Sequence, residues 1–496
     1  TYILQFFCIV CTRWLLAIDD EEFFGEKFLS LEEWRAIINF IKMVSVSQIK
    51  NYFDDKNNYD ELLFNSIIGL QNLLYDRDCR KSFADSTWLA EELMEHFQRD
   101  NTQFIVSKVP YFIPLSNRFH IFHSCIMNAR NESIRSSKRV QIRRTHLFET
   151  GYEVFSSMNT EELRGKIRVE FINQEGLAEA GIDGGGLFKE FITEMLHQGF
   201  NPDSGFFTYS DSKELYPNPS SPVSTDDWKQ MYYFLGRILG KSLFEMVLVY
   251  LPLSRFFLSR ILRKSPNYIN DLSVLDPQLF KNLMVLKNYT GNVEEDFNLN
   301  FSISKSEFGA DNIVDLVPNG RNTSVTNENR MKYIYLMAKY RLNDQIQEQI
   351  NMFLKGFREL IPHSYIQMFN EEELQQLISG VEEPLDIEDF RKNTTYSGGY
   401  DDQHPIIIIF WEVLKSLSIS QQRKFLQFVT STERSPLLGF SCLDPKFCIQ
   451  NGKDVSRLPS AGTCFNLLKL PPYPSFEIMR EKLLYAIESN SGFDLS

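Results

Sequence analysis

Leu458-Pro459-Ser460-Ala461-Gly462-Thr463-Cys464-Phe465-Asn466-Leu467-Leu468-Lys469-Leu470-Pro471 runs from a polar turn into a short apolar segment. A cysteine at such a junction can sit at a loop tip with its thiol accessible. Reactivity needs thiolate character, supplied by backbone donors or a neighbouring cation. Thr463 and Asn466 offer polar groups on either side. On local chemistry alone, a satisfied structural thiol is the plainer reading.

Other chemistries find less support. Cys8-Ile9-Val10-Cys11 has redox spacing, but its apolar neighbours raise thiol pKa values rather than lower them. The seven His are scattered with no H-x-x-x-H pair, and Cys442 and Cys448 have no partners at zinc spacing, so no metal is expected. Gly236-Arg237-Ile238-Leu239-Gly240-Lys241-Ser242 mimics a phosphate loop with three residues between the glycines where the motif needs four. Its flanks are apolar and helical. Gly181-Ile182-Asp183-Gly184-Gly185-Gly186 reads as a tight turn entering a helix. No G-x-S-x-G elbow is present.

The chain has 496 residues, which suggests two to four domains at ~100–200 residues each. Lys plus Arg is 52 against 65 Asp plus Glu, a net charge of −13 that argues against a nucleic-acid partner. Seven Cys, odd in number and irregularly spaced, fit a reducing compartment, cytoplasmic or nuclear. Thr1 opens the chain, so a fragment is expected. Tyr2 to Ile18 is apolar but carries Gln5 and Arg13, which favours a buried helix over a membrane span.

Residues 1–139 read as helical pieces. Arg135 to Arg144 holds five cations in ten residues, read as the solvated face of a helix whose other side is Ile134, Val140, Ile142 and Leu147. Lys166 to Ile172 alternates strictly and reads as a strand. Phe234 to Leu262 reads as buried helices broken at Pro252. Ile346, Ile350, Phe353, Leu354 and Phe357 share one helical face. Asn370 and Glu373 resemble a capping box opening the helix Glu371 to Ser379, with Gly380 as its C′ residue. Val381-Glu382-Glu383-Pro384 is polar and non-helical, the best domain boundary in the chain. Beyond it, Ile407, Phe410, Trp411, Leu414 and Leu417 keep helical spacing, with a strand over Ile406 to Ile409 as runner-up. Ser475 is placed to cap a last helix through Phe476, Met479, Leu483 and Ile487.

These segments together resemble the HECT ubiquitin ligases. Thr463-Cys464-Phe465-Asn466, followed by Leu-Pro and a final helix, looks like their catalytic segment. Ala180-Gly181-Ile182-Asp183-Gly184-Gly185-Gly186, Leu215-Tyr216-Pro217-Asn218-Pro219, Phe234-Leu235-Gly236-Arg237 and Val325-Thr326-Asn327-Glu328-Asn329 match in order. Tyr396-Ser397-Gly398-Gly399-Tyr400, His404-Pro405, Phe410-Trp411-Glu412 and Arg434-Ser435-Pro436 continue the match, which covers about residues 140–496. The tail Lys482 to Ser496 is most similar to the proteasome-associated branch. One departure is Gly462, where many members carry His two residues before the nucleophile.

The resemblance implies an α+β, bilobal fold. Residues 1–139 would be a helical scaffold or substrate-recruiting region, 140–380 a large helical lobe that docks a ubiquitin-conjugating enzyme, 381–384 a hinge, and 385–496 a small α/β lobe. Cys464 would carry ubiquitin as a glycyl thioester and pass it to lysine, with Thr463 and Asn466 as its polar frame. Gly380, Val381 and Pro384 would form the hinge. Phe493, four from the end, would help hold the lobes together for transfer. Tyr333 and Met337, at i and i+4, would face the conjugating enzyme, with core burial the competing reading. Expected partners are ubiquitin, the conjugating enzyme, protein substrates and the proteasome, with no membrane and no cofactor. The competing class is a catalytically inactive scaffold of the ubiquitin system, which retention of Cys464 in its frame argues against.

Overall fold

A computed structural model describes residues 2–488, except 55, 97–98, 133–136, 179–185, 225, 265–267, 308–309, 382, 431, 438 and 444. Its apolar side chains gather into two separate cores. The first draws members from Cys8 to Ile378, the second from Phe390 to Ile487. Phe493 lies outside the described residues.

The first core has no seam at the expected 139/140 division. Helix Tyr2–Ala17 packs on helix Glu61–Arg80. It buries Cys8 and Leu15 but leaves Tyr2, Ile3 and Phe6 exposed, so only one of its faces is covered. Asp19 and Glu22 form a capping box, and Lys287, far along the chain, donates to both carboxylates at 2.7 Å. Buried Arg118 on helix Leu115–Glu132 forks onto both oxygens of Glu373 at 2.7 Å and onto the Met368 carbonyl. Such bidentate, desolvated pairing fixes geometry as well as adding energy. The amino-terminal helices are therefore packed into the large lobe rather than appended to it.

Strand β1 (Ser137–Arg143) runs parallel to β2 (Lys166–Ile172), with Val140 opposite Val169 and Ile142 opposite Phe171. This corrects the helical reading of the basic segment. Val140 and Ile142 are buried at a period of two, while Arg139, Gln141 and Arg143 point to solvent. The described cations of the segment are solvated or locally paired: Lys138 meets Glu162 at 2.8 Å, and Arg144 meets Glu190 at 2.6 Å while covering the Phe171 ring.

Helix Trp228–Phe244 crosses helix Gln347–Phe357 at close range, which explains the glycines that mimic a phosphate loop. A Cβ on Gly236 would strike the Phe353 carbonyl, and one on Gly356 the Tyr233 carbonyl. Lys241 is fully buried, bonded to Glu245 and to the Gly165 carbonyl at 3.1 Å. Two antiparallel pairs complete this lobe, β3 (Phe207–Tyr209) with β4 (Leu215–Pro217) and β5 (Ser302–Glu307) with β6 (Ala310–Asp315).

The capping box of Asn370 and Glu373 is present, opening helix Glu371–Ser379. Gly380 follows at φ 76°, a left-handed position where glycine carries no Cβ penalty. The small lobe then adds β7 (Thr395–Ser397), β8 (Cys448–Asn451), β9 (Ser460–Gly462) and β10 (Leu467–Leu470), ordered β7-β8-β10-β9. The first three in that order are parallel neighbours, and β9 is antiparallel to β10. Ile406 to Ile409 is helical, not a strand. Pro405 opens helix Pro405–Ser416, and His404 Nδ1 accepts from the Ile406 N–H at 3.2 Å. Helix Phe476–Glu488 closes the lobe, with the Ser475 side chain accepting from the Ile478 N–H. Among the described residues no helix is long and apolar enough to cross a membrane.

Candidate active site

Cys464 sits at the tip of the hairpin joining β9 to β10. Thr463–Phe465 forms one turn of 3-10 helix, and Asn466 closes it in the left-handed conformation at φ 47° and ψ 47°. Asparagine is among the few residues with a side chain that tolerate this conformation. The register brings Gly462 opposite Leu467, so the turn is held at both ends by the sheet.

Asn466 is fully buried and makes the turn rigid. Its Nδ2 donates to the Pro445 carbonyl at 2.6 Å, its own carbonyl accepts from Cys448 N–H at 2.9 Å, and its N–H donates to Thr463 O at 3.3 Å. Its Oδ1 accepts from Lys189 Nζ at 3.3 Å. Lys189 belongs to helix Gly186–Phe200 of the large lobe, and that helix packs on the Thr463–Phe465 turn. Helix Ile419–Thr430 supports the turn from within the small lobe. A cation from the other lobe thus contacts the residue that closes the Cys464 turn. Lys189 was not legible in the sequence, since 277 positions separate it from Asn466.

Gly462 is the last residue of β9. A Cβ there would meet Leu467 Cβ only at 3.8 Å, an ordinary contact.

Between the lobes runs an apolar cleft of about 390 Å³. Phe122, Phe188 and Leu377 face Leu426, Leu437 and the half-exposed Phe465 across it. The Cys464 turn lies at this boundary, and so does the connection between lobes. There the Val381 N–H donates to Ser435 O at 3.0 Å, in an isolated antiparallel bridge. A Cβ on Gly380 would come within 2.8 Å of that same carbonyl. Arg434 covers the Tyr250 ring at 4.4 Å. Pro384 is exposed.

Tyr333 and Met337 do share one face of helix Arg330–Leu342, but that face is turned inward. They are 5% and 8% exposed, and the Tyr333 ring meets Phe301 edge-on at 5.5 Å. Helices Tyr268–Leu275 and Pro277–Asn288 cover this side of the helix. The expected apolar docking pair is core, because an i, i+4 pair reports a shared face without saying which way it points.

Four thiols of the large lobe are held protonated by their surroundings. Burial, and secondarily Cys11, pushes Cys8 up to about 11; burial pushes Cys79 up to about 12 and raises Cys11 and Cys125. Among the described residues no cluster of His, Cys, Asp and Glu could hold a metal.

A helical lobe, a left-handed glycine at the connection and a small sheet lobe with a cysteine in a hairpin turn make up the build of two-lobed cysteine transferases. The HECT-domain (ubiquitin-transferase) family matches residues 193–496, more than half of the chain, and the chain belongs to that family. It is 41% identical to E3 ubiquitin-protein ligase UPL6 of Arabidopsis thaliana over 99% of this chain and 51% of that protein. It is 36% identical to Ubiquitin-protein ligase E3B of Homo sapiens, again over 99% of this chain and 51% of the relative. E3 ubiquitin-protein ligase HUL5 of Saccharomyces cerevisiae is 39% identical over 79% of this chain and 45% of its own length. The chain spans about half the length of these relatives.

Proposed function

We propose that the chain is a HECT-type ubiquitin ligase that loads ubiquitin on Cys464 and passes it to lysine. The observation that carries this is the Cys464 turn, fixed by Asn466 and set against a helix of the opposite lobe. The Cys464 thiolate attacks the thioester carbonyl joining the ubiquitin carboxy terminus to a conjugating enzyme. The new thioester forms as the conjugating enzyme's thiolate leaves. A substrate lysine amine then attacks that carbonyl, Cys464 departs as thiolate and the amine proton goes to solvent.

Thioester exchange is nearly neutral in free energy, so positioning is the main demand. Thr463 and Asn466 serve as positioning residues. One cysteine must face the donor and then the acceptor, which requires lobe rotation. Gly380, Val381 and Pro384 are the hinge in this reading, and Phe493 helps hold the lobes for lysine transfer. The partners are ubiquitin, a conjugating enzyme bound by the large lobe, and protein substrates. Similarity of the tail to the proteasome-associated branch supports delivery of substrates to the proteasome. Free thiols at Cys8, Cys11, Cys79, Cys125 and Cys448 support a cytoplasmic or nuclear setting.

A thioester-trapping assay with conjugating enzyme and ubiquitin tests the reading. Wild-type protein should give a reductant-sensitive adduct, Cys464→Ser a reductant-resistant one, and Cys464→Ala none. Normal ligation by Cys464→Ala protein would sink it.

A further inference from the structure

Where the amino-terminal helices meet the rest of the large lobe lies a second cleft of about 1050 Å³. Its walls carry eight Lys and Arg side chains against three Asp and Glu, in a chain whose net charge is −13. Part of this charge is neutralised locally. Arg77 and Arg80 hold Asp20, while Arg255 and Lys264 share Glu371.

Arg260, Arg263 and Arg358 are different. Among the described residues none of them has a carboxylate within ion-pair distance; Arg260 donates to Gln347 Oε1 at 2.8 Å. They repel one another. Burial first, and then Arg263 and Arg260, lowers the Arg358 guanidinium from its usual value. Burial, followed by Arg263 and Arg358, likewise lowers His363, whose buried Nδ1 has no hydrogen-bond partner. Arg263 holds φ 57°, the left-handed position just after helix Arg255–Ile261, where glycine is the unstrained choice. Helix carboxy termini at Ile261 and Phe357 offset part of the repulsion but carry no formal charge. Converging cations without counter-charge, in a cleft of ligand size, are what a multivalent anion requires.

We propose that this cleft binds a small molecule bearing several phosphates, held by Arg260, Arg263 and Arg358. Guanidinium forks match phosphate oxygens in pairs. Lys108, from the amino-terminal helices, lines the same cleft. A ligand there would touch both the amino-terminal helices and the large lobe, so binding would stabilise their packing.

The test uses the 496-residue chain with inositol hexakisphosphate and inorganic triphosphate as soluble probes, and vesicles containing a phosphoinositide as the membrane probe. Calorimetry should show binding that weakens between 0.1 M and 1 M salt, as the Debye length falls from ~10 Å to ~3 Å. Arg263→Gln/Arg358→Gln should lose on the order of tenfold in affinity per arginine removed. The same variant without ligand should melt at or above the wild-type temperature, because it loses repulsion and no ion pair. Binding to soluble probes alone assigns a free ligand, and co-sedimentation that the variant loses assigns a lipid headgroup. Either supports the site. No binding to any probe, or equal affinity in wild type and variant, overturns it. Ubiquitin transfer is not the readout, so this outcome is independent of the fate of the Cys464 assignment.

Discussion

Lys189 Nζ and Asn466 Oδ1 meet at 3.3 Å across the boundary between the lobes, so a cation of the large lobe touches the residue that fixes the Cys464 turn. The contact exists only while the small lobe is docked as seen here. Lys189→Met keeps most of the apolar stem and removes the cation. Loading of Cys464 from the conjugating enzyme should be little changed. Discharge to lysine should slow severalfold, since a contact specific to one lobe arrangement biases that arrangement alone. Single-turnover chase of preloaded protein measures it. Equal discharge rates would make the contact incidental.

Asn466 combines a left-handed backbone with two side-chain hydrogen bonds, and two substitutions separate these contributions. Asn466→Gly relieves the backbone and loses the bonds. Asn466→Ala loses both, with an added left-handed penalty of roughly 1–2 kcal/mol. The alanine variant should therefore be the less stable of the two in chemical denaturation. Both should load ubiquitin slowly, because the turn loses its anchor to Pro445. Wild-type loading by either would remove Asn466 from the site.

Gly380→Ala should be costly for two reasons. The backbone is at φ 76°, and the new Cβ would crowd Ser435 O and Arg434 Cβ at 2.8 and 2.9 Å. We expect a loss of about 1–3 kcal/mol in the docked state. The crowding disappears if the lobes separate, so cross-linking between lobes should fall more than the melting temperature of the small lobe.

Asp271 lines the basic cleft, and burial pushes its carboxyl up to about 6, against the smaller opposing pull of Arg80 and Arg255. A folded-state value above the unfolded 3.8 means the native chain binds the extra proton. Its contribution is therefore favourable below about 4 and is lost as pH rises through about 6. Asp271→Asn should stabilise the protein at pH 7, by roughly 1–3 kcal/mol, and change little near pH 4. Urea titration at both pH values decides it; a destabilised variant at pH 7 would show that the carboxylate is satisfied as an anion.

Features written into neighbouring residues were legible from the sequence. The capping box of Asn370 and Glu373, Gly380 as its terminator, and the alternation of Lys166 to Ile172 depend on spacings of one to four residues. The strand Ser137–Arg143 was not, because only Val140 and Ile142 mark its buried side and its partner is a parallel strand beyond two helices. Cys464 could be singled out by its resemblance to a family motif. The reason for Asn466 could not, since it depends on a left-handed turn and on a lysine from another lobe. Tyr333 and Met337 failed for a similar reason: their shared face was right, and its direction is set by helices that precede them in the chain.

The fork from Arg118 to Glu373 reaches the helix that ends at Gly380. Removing one side of such a buried pair strands the other, at a cost of about 3–5 kcal/mol. A change at Arg118, 346 residues before Cys464 in the chain, would therefore loosen the helix that leads into the connection between the lobes. A shortened chain beginning at residue 140 would lack Arg118 and leave Glu373 without this partner, so the large lobe packs as seen here only with its amino-terminal helices present.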